Sequence, residues 1–279
     1  MNDTLREYLS FGKFIGPLIR THKEILPDEV AWGDKEQFFT FFESPCKKED
    51  KLVIYIHAGG WDHNSPHNLF FIGQRIAKEG YDCVMYSYRK TPKHRYPEIL
   101  DDIFQDYVRM KEYLRGKGKS YEKQVVMGSS AGGHLGALLC FDRQKQEEYQ
   151  ITADEFVGLI SLAGPVCFEY PHTPTVNAML KELFDSKEPA DWKVGEPYDK
   201  MYTIPGFKVC VIQSRHDGLV GFEQAEAFCK KVSELGMESE FYEVTDEMNT
   251  HSAYCEGIFL QEISDSTTLQ KTLEMLERM

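Results

Sequence analysis

Apolar and polar positions alternate along this chain in blocks that change period. Lys51–His57 (KLVIYIH) and Gly80–Tyr88 (GYDCVMYSY) are short, nearly continuous apolar runs, the pattern of strands buried on both faces. Residues 124–129, Phe156–Ala163 (FVGLISLA) and Val209–Ser214 (VCVIQS) repeat that pattern, and Ser239–Val244 is a further strand. Between them, Asn68–Lys78, Glu98–Leu114, 130–141, Phe222–Leu235 and Ser266–Leu276 carry helical signals, Glu98–Leu114 being clearly amphipathic. Near the start, Glu29–Trp32 and Gln37–Phe42 flank the turn signal Gly33-Asp34 and predict a hairpin. Strands alternating with helices predict an α/β fold with a mostly parallel sheet covered on both faces.

Two stretches break the rhythm. Residues 1–27 read as a helical or partly helical N-terminal extension, with Leu5, Tyr8, Leu9, Phe11, Phe14 and Ile15 as its apolar content. Residues 165–207 hold several prolines and no clear strand, and so long an insertion in a compact domain predicts a lid or binding loop. No repeat, low-complexity tract or linker divides the 279 residues, so a single domain over 1–279 is expected. Its cap would come from about 1–27 and 165–207.

Composition narrows the partners. The hydrophobic fraction of 42% is enough for a substantial core, and no run approaches the roughly 20 apolar residues of a membrane span. The N-terminus lacks an apolar signal core, which predicts a cytoplasmic protein. Seven scattered cysteines without a Cys-x-x-Cys pair fit free thiols in a reducing compartment. A formal net charge of −13 argues against nucleic acid and against adhesion to anionic membranes. A small neutral or cationic substrate is the partner this field suits.

The candidate chemistry begins at Gly128-Ser129-Ser130-Ala131-Gly132, directly after the apolar run Gln124-Val125-Val126-Met127. A buried strand ending in Gly-x-Ser-x-Gly and passing into a helix describes a nucleophile elbow, with Ser130 on the turn. Gly128 and Gly132, lacking Cβ atoms, leave room for so tight a fold. At the end of the KLVIYIH strand lies His57-Ala58-Gly59-Gly60-Trp61. Acyl transfer places negative charge on a carbonyl oxygen, and the backbone N–H groups of Gly59, Gly60 and Ala131 are the expected donors to it. A third signal, Asp217, follows the VCVIQS strand, at the strand end where α/β sheets place ligands. His251 lies in the loop Asp246–Ser252 after the last strand. The chain order Ser130, Asp217, His251 matches the Ser…Asp…His order of α/β hydrolases. Asp246 and Glu247 are alternative acids, though they follow a different strand.

Other polar residues read as structural. His57 is expected to brace the Gly-rich loop, His134 to be a buried structural residue, and His216 to face away from Asp217. His63 and His67 have i,i+4 spacing, but Asn64 and Pro66 place them in a loop with no further ligands, so no metal is expected. Arg89 is expected to pair with Asp101, Asp102 or Asp106. Trp61 either lines an acyl pocket or packs in the core.

On HAGGW (57–61), YRKTP (88–92), GSSAGGH (128–134), HDGLV (216–220) and His251, the chain resembles α/β hydrolases of the esterase/lipase group with a His-Gly-Gly-Gly-Trp-like loop. That group includes carboxylesterases, carbohydrate acetyl esterases and kynurenine formamidases, and the resemblance runs from about residue 29 to the C-terminus. It implies a Ser130–Asp217–His251 triad, an oxyanion hole from Gly59, Gly60 and Ala131, a small acyl ester as substrate, and no cofactor. Ala58 stands where relatives carry the first glycine, which is tolerable unless that position needs a positive φ. A non-catalytic ligand receptor on the same fold is the alternative of a different class.

Overall fold

The structure is a computed structural model that describes residues 6–7, 24–170 and 172–279. The N-terminal helix expected over 1–27 therefore lies almost wholly outside the described residues. Eight strands form one sheet: β1 (Asp28–Ala31), β2 (Phe38–Phe42), β3 (Lys51–Ile56), β4 (Asp82–Tyr86), β5 (Lys123–Ser129), β6 (Gly158–Leu162), β7 (Lys208–Gln213) and β8 (Glu238–Glu243). Their order is β1-β2-β4-β3-β5-β6-β7-β8. β1 and β2 pair antiparallel as the expected hairpin, β2 joins β4 antiparallel, and every later pairing is parallel.

The main helices are α1 (Phe70–Lys78), α2 (Glu98–Gly116), α3 (Ala131–Phe141), α4 (Pro174–Phe184), α5 (Phe222–Glu234), α6 (His251–Cys255) and α7 (Thr267–Arg278). Strand residues alternate between two cores. Leu52, Ile54 and Ile56 of β3 pack with α2, α3 and α5, whereas Val53 and Tyr55 pack with α1 and α7. Every residue of α3 is buried, because it is apolar on all sides and lies between the sheet and the insertion. None of the helices among the described residues is long and apolar enough to cross a membrane. All seven cysteines are unpaired thiols.

Residues 165–207 are the expected strandless stretch, and they fold as α4 followed by short helical turns. Pro174 at the first turn and Thr173, whose Oγ1 accepts from Val176 N at 3.4 Å, start α4. Among the contacts that fasten the segment down are Arg95 with Glu182 at 2.6 Å, Tyr96 N with Leu183 O at 2.9 Å, and His134 Nε2 with Gly195 O at 2.8 Å. Arg89 takes Asp102 from its three candidate partners, its Nε and Nη2 both lying 2.9 Å from the carboxylate.

The parallel register explains where a site can form. β3, β5, β7 and β8 all deliver their carboxyl ends to one edge of the sheet. Because β3 and β5 are neighbours, the loop after β3 lies against the turn after β5.

Candidate active site

Ser130 occupies the turn between β5 and α3 with φ 50° and ψ −120°, a conformation that costs an ordinary side chain about 1–3 kcal/mol. The turn closes only because its flanking residues lack side chains. A Cβ on Gly128 would sit 2.2 Å from Gly132 O, and one on Gly132 would sit 2.0 Å from Ile56 O. The second contact presses the start of α3 against the end of β3. Ser130 N donates to Leu162 O at 2.8 Å, and Ser130 O accepts from Gly133 N at 2.8 Å.

The neighbouring Ser129 has a different environment. Its side chain is fully buried, accepts from Tyr55 OH at 2.8 Å and donates to Cys255 O at 2.7 Å. Both of its hydroxyl functions are engaged inside the core, whereas Ser130 lines an open cleft.

The loop after β3 turns sharply. Gly59 and Gly60 have φ 135° and 55°, and Gly59 O accepts from both Asp62 N and His63 N at 3.0 Å. Ala58 has no positive φ, so its Cβ is accommodated in this loop. Among the described residues, the N–H groups of Gly59, Gly60 and Ala131 donate to no protein acceptor. His57 braces this loop as expected: its Nδ1 donates to Ala58 O at 2.7 Å, its ring stacks on Tyr88, and Tyr88 OH donates to His57 O at 3.1 Å. Burial holds the His57 imidazole well below its ordinary pKa, with Lys90 adding to the effect, so the ring is neutral.

Asp217 is anchored from several sides. Its Oδ1 accepts from Leu219 N and Val220 N, both at 2.8 Å. Its Oδ2 accepts from His251 Nδ1 at 2.8 Å, from Gln213 Nε2 at 3.3 Å and from Tyr254 OH. Burial pushes this carboxyl up, but the His251 charge and these donors prevail and hold it below its ordinary value. Burial opposes a charge on His251 too, yet the Asp217 carboxylate beside it, with Cys255, raises it well above 6.5. The two shifts describe one pair that favours imidazolium beside carboxylate.

His251 differs in one respect from the expected loop residue: it opens the five-residue helix α6. The alternative acid Asp246 is committed elsewhere. Its carboxylate accepts from Thr267 Oγ1 at 2.9 Å and from Thr268 N and Oγ1 at 3.0 Å, capping α7. His134 is structural: Trp61 Nε1 donates to its Nδ1 at 3.3 Å, and burial lowers its pKa to about 4. His67 stacks on Phe38 and bonds Glu29 at 2.6 Å, while His63 pairs with Asp62. His216 is exposed and its N donates to Ser214 Oγ at 3.0 Å.

One cleft brings these residues together. About 620 Å³ with its open mouth included, it is lined by Gly59, Gly60, Ser130 and His251, with Trp61, Val176, Met179 and Leu219 as apolar walls. Trp61 lines the cleft and is also buried. Val176 and Met179 come from α4, so the insertion contributes a wall. Sequence reasoning missed Tyr254, three residues beyond His251 and on the same helical face, and Glu256, a carboxyl lining the cleft. Burial raises the Glu256 pKa to about 7, although His251 and His63 draw it down.

The known proteins that this chain is similar to include esterases and lipases. Esterase LipC of Mycobacterium tuberculosis is 25% identical over 198 residues, covering 66% of this chain and 49% of LipC. The probable carboxylic ester hydrolase LipM of the same organism is 24% identical over 204 residues, covering 68% and 47%. The chain thus spans about half the length of these curated relatives. The crystal structure of esterase B from Lactobacillus rhamnosis superposes with a TM-score of 0.76 at 16% identity, covering 99% of this chain and 93% of that one. That likeness establishes the α/β-hydrolase fold. The BD-FAE family model matches residues 41–232, from β2 through the elbow and Asp217 to α5, and the chain belongs to the BD-FAE family.

Proposed function

We propose that this protein is a serine carboxylesterase acting on small acyl esters. The observation that carries the reading is the 2.8 Å bond between His251 Nδ1 and Asp217 Oδ2 at the wall of the cleft that Ser130 lines. Asp217 fixes the tautomer that leaves His251 Nε2 free to take a proton. Ser130 Oγ attacks the ester carbonyl as its proton passes to His251. The oxyanion is held by the N–H groups of Gly59, Gly60 and Ala131, which lack protein acceptors among the described residues. Collapse breaks the bond to the alcohol, which leaves with the proton from His251. Water, deprotonated by the same histidine, then releases the acid from acyl-Ser130. No step calls for a cofactor.

The preference for small esters rests on the cleft. Trp61, Val176, Met179 and Leu219 wall a space suited to a compact substrate, and residues 165–207 form the cap over it. The similar esterases LipC and LipM support the reaction class. An arylformamidase or a carbohydrate acetyl esterase would use the same machinery, so substrate competition decides among them. The test compares kcat/KM for p-nitrophenyl acetate, butyrate and dodecanoate with that for N-formylkynurenine. A maximum at acetate or butyrate is expected. Preference for N-formylkynurenine would make the protein a formamidase, and inertness toward all four would favour a receptor.

A further inference from the structure

The first turn of a helix leaves backbone N–H groups without intrahelical acceptors, and His251 is the first residue of α6. Ala253 N and Tyr254 N donate to Thr250 O at 2.9 and 3.1 Å. Thr250 stands at the capping position, but its side chain makes no cap. His251 N and Ser252 N donate instead to the carboxylate of Glu7, at 2.7 and 2.8 Å, and Ser252 Oγ donates to it at 2.7 Å. Glu7 comes from 244 residues earlier in the chain and is only 6% exposed. Its neighbour Arg6 donates to Asn249 Oδ1 at 2.9 Å, holding the loop just before His251.

We infer that Glu7 is a positioning residue for His251, an assignment that rests on reading His251 as the general base. A short helix frays first at its ends, and the residue at this end must hold both a 2.8 Å bond to Asp217 and an orientation toward the Ser130 cleft. The opposite end of α6 is fixed by Ser129 Oγ donating to Cys255 O, so Glu7 supplies the missing anchor. One carboxylate accepting three donors locks the His251 backbone, and with it the direction of the imidazole. Glu7 thereby acts on the site without itself lining the cleft.

The experiment uses the full chain, wild type and Glu7→Gln. Glutamine is isosteric, but its NH2 group opposes one of the backbone donors. Two readouts are compared: kcat and KM on p-nitrophenyl butyrate, and the low-field NMR resonance of the His251 Nδ1 proton. The inference predicts a kcat lower by about tenfold with KM changed less than about twofold, and a broadened or lost resonance. Glu7→Asp keeps the charge but withdraws it by one methylene; it should show a smaller change in the same direction and carries the test if Glu7→Gln does not fold. Gln146→Ala, which removes buried bonds to Leu139 O and Cys140 O at the far end of α3, should lower Tm and leave kcat and the resonance unchanged. If Glu7→Gln keeps both kcat and the resonance, or if Gln146→Ala loses as much kcat, the inference is overturned. A wild type that hydrolyses no ester and takes up no fluorophosphonate defeats the esterase reading, while the resonance still decides the role of Glu7.

Discussion

Replacing Asp217 by asparagine perturbs one atom at the most heavily bonded point of the site. The carboxylate accepts five donors: Leu219 N and Val220 N on Oδ1, and His251 Nδ1, Tyr254 OH and Gln213 Nε2 on Oδ2. The asparagine oxygen will stay with the two backbone N–H groups, because nothing else can satisfy them. Its NH2 group then faces His251, Tyr254 and Gln213. His251 must present a lone pair at Nδ1 and carry its proton on Nε2, so it can no longer accept one from Ser130. Loss of the productive tautomer should lower kcat by about 10³–10⁴, or about 4–5.5 kcal/mol of barrier. Stranding the Tyr254 and Gln213 donors costs a further ~1–3 kcal/mol of stability.

The pH profile carries the same signature. His251 is raised above 6.5, so the neutral base accumulates only above that pH, and the acid limb of kcat/KM should lie there. Without the Asp217 charge the limb should move to lower pH. The stability signs are opposite for the two partners. The His251 contribution is present below its unfolded pKa and fades as pH rises through the raised folded value. The Asp217 contribution is present above its unfolded pKa and fades as pH falls through the depressed one. The assay is kcat/KM on p-nitrophenyl butyrate between pH 5 and 9, with Tm measured alongside. A variant keeping more than a tenth of wild-type activity, while Asp246→Asn loses it, would refute this reasoning.

Two further outcomes follow from the surrounding groups. Ser129→Ala should keep fluorophosphonate labelling but lower the Tm, because Tyr55 OH loses its buried acceptor and Cys255 O its donor, at ~1–3 kcal/mol. Glu256→Gln should raise Tm more at pH 8 than at pH 5: with its pKa lifted to about 7, the native state holds this proton more tightly than the unfolded chain, and stability falls as pH rises between the two values. An equal Tm change at both pH values would refute that assignment.

The inner strands β3 to β7 were legible because they are buried and so read as apolar runs, whereas the edge strands β1 and β8 are partly exposed and carry no such run. The positions of Ser130 and Asp217 were legible because both follow such runs, at the edge where a parallel sheet collects its strand ends. The helix opened by His251 was not. Five residues are too few for a periodicity, and its cap comes from Glu7, which no local pattern connects to it. Tyr254 was hidden for the same reason, since its spacing from His251 carries meaning only once the segment is helical. The choice of Asp102 by Arg89 among three acids depends on where α2 sits against the turn before it, which is a tertiary fact.

The most direct test of the account is the site of covalent labelling. A fluorophosphonate probe should add once to the wild-type protein, and peptide mapping should place it on Ser130. Ser130→Ala should take up none, while Ser129→Ala labels as the wild type does. Labelling that persists in Ser130→Ala, or maps to another residue, would contradict the account.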